Sequence, residues 1–147
     1  MTVNLSGSRS ANTTTDGSGA FSFPGLAAGG NYTVTPPTTS FYTFTSQSFA
    51  NLTSNQAANL IGTLRHYSIT GRVTEGANGM AGVNVVLSGA SQATLTTDST
   101  GNYSFSNLTA GRKYTVTPSK THYIFTTANL VLNQLGIDVR PVFDGLF

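Results

Sequence analysis

The chain has 147 residues, 8% of them charged, with a net charge of +2 and 9 Phe and 6 Tyr. So little charge beside so many aromatics is the opposite of the disorder signature, and the scattered positives Arg9, Arg65, Arg72, Arg112, Lys113, Lys120 and Arg140 make no basic face for nucleic acid. With no cysteine there is no disulfide framework, thiolate metal site or Cys nucleophile, and no run approaches the ~18 apolar residues of a membrane span or reads as a signal peptide.

The polar residues are mainly Thr, Ser, Asn and Gly. These favour strands and turns over helix interiors, and no window keeps a helical period for about ten residues. In chain order, "TVNL" (Thr2–Leu5) opens as a strand, and "DGSGAFSF" (Asp16–Phe23) follows as a turn and strand. "YTVTP" (Tyr32–Pro36), "FYTFT" (Phe41–Thr45) and "ANLIGTLRHY" (Ala58–Tyr67) complete the first half. The second half starts with "YSITGRVTEGANGMAG" (Tyr67–Gly82), then "NVVLSG" (Asn84–Gly89). "ATLTTD" (Ala93–Asp98) is expected to pair with "YSFSNL" (Tyr103–Leu108) as a hairpin, with Gly101 supplying a positive φ. A second turn at Gly111 leads into "YTVTPS" (Tyr114–Ser119), where Tyr and Val point inward and Pro118 is expected to end the strand. "HYIFT" (His122–Thr126) and "GIDVRPVFDG" (Gly136–Gly145) close the chain.

The two halves repeat. Val3–Pro36 lies over Val85–Pro118 without a gap, and 19 of 34 positions are identical. The displacement is too long for one solenoid turn and suits a small autonomous β-domain. The expected fold class is all-β: two tandem Ig-like or transthyretin-like β-sandwich modules, residues 1–66 and 67–147, each with about seven strands. The first copy lacks an equivalent of Tyr67–Gly82, so it starts at its second strand and an opening strand would precede Met1.

The motif runs from Gly71 and Val73 through Met80–Val83 and "VVLSG". It continues as T-D-x-x-G-x-Y-x-F (Thr97–Phe105) and L-x-x-G-x-x-Y-x-V (Leu108–Val116). It resembles the carboxypeptidase-regulatory-like, CnaB-type family of transthyretin-like β-sandwiches. The resemblance implies an extracellular spacer, stalk or accessory module of bacteria or archaea. Some such relatives carry a Lys–Asn isopeptide crosslink. Here Lys113 and Lys120, the only lysines, lie past the central hairpin and the first copy has none, a departure from that pattern.

Other chemistry has thin support. The acidic turns at Asp16 and Asp98 each offer one carboxylate, whereas calcium takes 6–8 oxygens, so each reads as a turn capped by its own Asp. His66 and His122 have no metal-ligand spacing. No catalytic residue, cofactor or metal site is expected. Two surfaces remain. Removing an opening strand exposes unpaired backbone and apolar core, and a strand from another chain can add there. Val3 and Leu5, with Val139, Val142, Phe143 and Phe147 of the C-terminal segment, are the candidate self-assembly edge. The partners would be other copies of the chain or adjacent repeats of a larger surface protein. The alternative is a carbohydrate platform of Tyr42, Phe44, Tyr123 and Phe125 on an accessory domain of a secreted hydrolase. Six Asn-x-Ser/Thr sequons, at Asn4, Asn12, Asn31, Asn51, Asn102 and Asn107, matter in a host that glycosylates secreted protein.

Overall fold

The computed structural model describes all 147 residues as fifteen strands and no helix. The contacts divide into two compact units, Met1–Thr63 and Leu64–Phe147.

The first unit contains β1 (Thr2–Gly7), β2 (Ala11–Thr14), β3 (Tyr32–Thr35), β4 (Tyr42–Thr43) and β5 (Gln47–Phe49), and the two-residue β6 (Thr63–Leu64) falls on the boundary between the units. Its one extended sheet has the order β2-β1-β3-β5, antiparallel throughout. The strand period of two sends Val3 and Leu5 of β1, and Tyr32 and Val34 of β3, to the same face, and all four are buried. β1 is bonded on both sides: Leu5 lies opposite Ala11 on one flank and Val34 on the other. Val3 and Leu5 therefore do not form an exposed edge. Their strand is central, and the place the sequence left open lies in the facing layer.

The second unit closes both layers. Its strands are β7 (His66–Glu75), β8 (Asn78–Gly79), β9 (Asn84–Gly89), β10 (Ala93–Thr96), β11 (Asn102–Thr109), β12 (Tyr114–Ser119), β13 (Ile124–Phe125), β14 (Leu130–Leu132) and β15 (Val142–Leu146). One sheet runs β10-β9-β12-β14. The other runs β11-β7-β15-β13, with β8 paired to β7. Nine strands form rather than seven, because the short β8 and β14 add small ladders. Inward residues of both sheets meet in one cluster: Ile69 and Val73 of β7, Val85 and Leu87 of β9, Tyr103 and Phe105 of β11, Tyr114 and Val116 of β12, and Phe143 of β15.

β7 is the central strand of its sheet. It pairs antiparallel with β11, placing Gly71 opposite Tyr103 and Ile69 opposite Phe105. On its other side it pairs parallel with β15, Val73 beside Phe143. Gly71 is needed here: a Cβ on it would sit 2.3 Å from the Tyr103 hydroxyl and 2.7 Å from the Pro141 carbonyl oxygen. That hydroxyl is buried without a partner, and burial pushes its ionisation above the usual tyrosine range.

Two expectations are corrected. Ala93–Thr96 and Tyr103–Leu108 do not form a hairpin. β10 pairs with β9, while β11 pairs with β7 in the opposite sheet, so the Asp98 turn is an arch between layers. Thr97 anchors the arch: its buried hydroxyl donates to the Met80 carbonyl at 2.7 Å and accepts the Val83 N–H at 3.0 Å. Pro118 does not end β12. It lies opposite Val85 of β9, past the last residue paired with β14, where a missing N–H takes nothing from a second neighbour.

Candidate functional site

The site is the layer of the first unit that has no central strand. The repeat maps Phe21, Phe23 and Leu26 onto Tyr103, Phe105 and Leu108, and Leu5, Tyr32 and Val34 onto Leu87, Tyr114 and Val116. In the second unit Tyr103, Phe105 and Leu108 belong to β11, are each about 4% exposed, and pack against β7. In the first unit the matching segment belongs to no strand, and its rings are only half-buried. The opposite wall matches as well. Leu52 exchanges backbone hydrogen bonds with Gly29 and Gly30, as Leu135 does with Gly111 and Arg112. Counting on equally from those leucines, Leu60 takes the place of Phe143. Leu60 is half-buried, whereas Phe143 is sealed between β7 and β13.

Between these walls lies a cavity of about 980 Å³. Phe21, Phe23 and Leu26 line one side, Leu52 and Ala58 the other, and Leu5, Tyr32, Val34 and Phe49 form the floor. The backbone around it already has the shape found in the closed unit. β11 carries a bulge between Phe105 and Leu108, with Asn107 at φ 59°. The matching Gly25 has φ 69°, and Gly19 and Gly101 agree at 85° and 82°. The two copies thus share these backbone angles, and in the first unit no strand is bonded to the segment. Arg9 props this wall, donating to the carbonyls of Pro24 at 2.8 Å and Gly25 at 3.5 Å.

The five carboxylates all bond to groups of the chain itself, Asp16 and Asp98 within their own turns and the others across to distant residues. Asp16 Oδ1 accepts the Ser18 hydroxyl at 2.7 Å and the N–H groups of Ser18 and Ala20 at 2.9 Å. Asp98 Oδ1 accepts the Asn102 N–H at 2.9 Å, with the Thr100 hydroxyl and N–H at 2.8 Å. Asp138 Oδ1 accepts the Ser68 N–H at 2.7 Å and its hydroxyl at 2.8 Å. These bonds favour the ionised form and lower all three carboxyls: the Ser18 hydroxyl leads at Asp16, the Asn102 N–H at Asp98 and the Ser68 N–H at Asp138. Asp144 binds the Thr74 hydroxyl at 3.1 Å and the Gly76 N–H at 3.0 Å, and Glu75 accepts the Tyr123 hydroxyl at 3.4 Å. Lys120 donates to the Ala81 carbonyl at 2.7 Å.

The aromatic candidates are not equivalent. Tyr42 is 42% exposed and tilts against the half-buried Phe44 at 6.2 Å between centroids. Tyr123 and Phe125 are half-buried against the core of the second unit. Tyr123 meets Phe147 edge-on at 5.5 Å and has the Lys120 ammonium 5.4 Å from its ring centre. Of the C-terminal residues offered as an assembly edge, Val142 and Phe147 are exposed, at 62% and 89%. Val139 is half-buried and bridges Ile69, and Phe143 is buried. β15 is bonded on both sides, so this segment is not a free donor. The sequence reading did not single out Phe21, Phe23, Leu26, Leu52 and Ala58, which line the cavity. The signal was the repeat itself, since these are the partners that Tyr67–Gly82 leaves uncovered in the first copy.

The fold is an all-β sandwich architecture, and comparison with known proteins gives its family. Residues 68–139 match the sequence model of the carboxypeptidase regulatory-like domain. The matched residues lie within the second unit, and the first unit repeats part of their sequence. Chitinase ChiA of Flavobacterium johnsoniae is 36% identical over 125 residues, which cover 84% of this chain and 8% of that protein. The match is longer than either unit, so it reaches into both. The solved structure of the Bacillus anthracis TIE protein superposes with a TM-score of 0.68 at 14% identity, over 98% of this chain and 30% of that one. The likeness is one of fold. GBS52, the minor pilin of Streptococcus agalactiae, superposes loosely, with a TM-score of 0.41 at 13% identity over 98% of this chain and 81% of that one.

Proposed function

We propose that the chain is a non-enzymatic structural module of a larger extracellular or cell-surface protein, a repeat of a stalk, adhesin or filament. The carrying observation is that one core occurs twice in tandem, with Val3, Leu5, Tyr32 and Val34 buried as Val85, Leu87, Tyr114 and Val116 are. All five carboxylates accept hydrogen bonds from the chain's own groups, which supports a role without acid–base chemistry.

A second reading, an accessory or carbohydrate-binding domain of a secreted hydrolase, is favoured by the chitinase relative and the exposed Tyr42 beside Phe44. One experiment separates the two. The chain is incubated with insoluble chitin and with soluble chitin oligosaccharides, and the supernatant is assayed for bound protein and released sugar. The structural reading expects neither retention nor hydrolysis. Hydrolysis would contradict it. Retention that is lost in Tyr42→Ala would establish the carbohydrate reading in its place.

A further inference from the structure

The hairpin of β7 and β8 in the second unit carries a reactive pair that the structural role does not use. Glu75 lies opposite Asn78, so Gly76 and Ala77 form a two-residue turn, with Gly76 at φ 59°. Asn78 follows the turn with its side chain exposed, and no other asparagine of the chain is followed by glycine. We propose that Asn78 is the site at which this chain modifies itself, losing its side-chain amide through attack by the backbone nitrogen of Gly79.

The ladder leaves that nitrogen available. Met80 N–H donates to the Val73 carbonyl at 2.8 Å, which makes Val73 and Met80 a hydrogen-bonded pair. The next pair, Thr74 with Gly79, is then the non-hydrogen-bonded kind, so β7 does not hold the Gly79 N–H. Glycine has no Cβ to crowd the attack. The Gly79 nitrogen bonds to Cγ of Asn78 as the Cγ–Nδ2 bond breaks, and ammonia leaves with the proton of the Gly79 N–H. Water then opens the cyclic imide at one of its two carbonyls. Cleavage at Cγ gives aspartate, and cleavage at the former backbone carbonyl gives isoaspartate, whose main chain is one carbon longer.

Both products strain the hairpin. An aspartate at position 78 places a second negative charge directly opposite Glu75, an unfavourable cross-strand pair. Isoaspartate costs more, because the extra carbon displaces residues that have no room to move. A Cβ on Gly79 would already overlap the Thr100 carbonyl. Met80 beyond it is buried, its N–H bonded to Val73 and its carbonyl to the Thr97 hydroxyl. The lengthened chain therefore pulls on the anchor of the Asp98 arch.

The test incubates the intact chain at neutral and mildly alkaline pH. Peptide mapping by mass spectrometry locates lost amides, and an isoaspartyl methyltransferase labels the isomer. The expected result is loss at Asn78 before any other asparagine, faster at the higher pH, with methyltransferase label at the same position. The melting temperature of the second unit should fall as the label rises. Asn78→Gln, whose longer side chain closes the ring far more slowly, should acquire no label and keep its melting temperature. Earlier loss at another asparagine would overturn the proposal. So would an Asn78 that stays intact in the folded chain and is lost only in denaturant, because the hairpin would then be protecting it. Equal label in Asn78→Gln would also overturn it, and a labelled chain that melts like the fresh one would overturn the strain assigned to the isomer.

Discussion

Asp98 binds its own loop, and that sets a pH dependence. The Asn102 N–H and the Thr100 hydroxyl and N–H hold its carboxyl below the ordinary range. A depressed folded-state value contributes stability above the unfolded value of about 3.9, and the contribution is lost as pH falls through the lowered one. Asp98→Ala should therefore lower the melting temperature at neutral pH, with the gap to the parent closing below about pH 4. A gap constant from neutral to acid would contradict this. Tyr103 offers the opposite case. Its buried hydroxyl has no partner, and the repeat places Phe21 at the same position. Removing an unsatisfied buried hydroxyl relieves a desolvation cost of about 1 kcal/mol or more, so Tyr103→Phe should stabilise the second unit in denaturant unfolding. Gly71→Ala should destabilise it by about 1–3 kcal/mol, the usual cost of forcing extra volume into a packed site.

At the scale of elements, β7 makes the difference between the two units. Burying a large apolar side chain is worth about 1.5–3 kcal/mol. Phe21, Phe23, Leu26 and Leu52 stay half-buried without such a strand, so several kcal/mol of burial go unrealised. Grafting Tyr67–Gly82 ahead of Met1 should raise the unfolding midpoint of the first unit and leave that of the second unchanged. An unchanged first midpoint would count against the assignment of the layer. Much of this was legible in the sequence: the repeat, the alternation of "YTVTP" in both copies, and the positive φ at Gly101 and Gly111. The arch at Asp98 was not. Strand–turn–strand reads the same whether the chain returns within a sheet or crosses to the next, and the decisive contacts of Thr97 with Met80 and Val83 are distant in sequence. The position of the open site was half legible. The missing strand could be counted, but its neighbours could be named only once β1 was seen between β2 and β3.

At the scale of the molecule, the two units share a sequence and differ in completeness, so their stabilities should differ in one direction. The least protected part of the chain should be the uncovered wall of the first unit, because exchange follows local opening and few contacts hold that wall. The measurement that tests this most directly is amide hydrogen exchange of the chain alone, comparing Phe21–Leu26 with Tyr103–Leu108 position by position. Fast exchange in the first segment and strong protection in the second is the expected result. Equal protection would contradict this account, because it would mean that the wall of Phe21–Leu26 is held as firmly as β11.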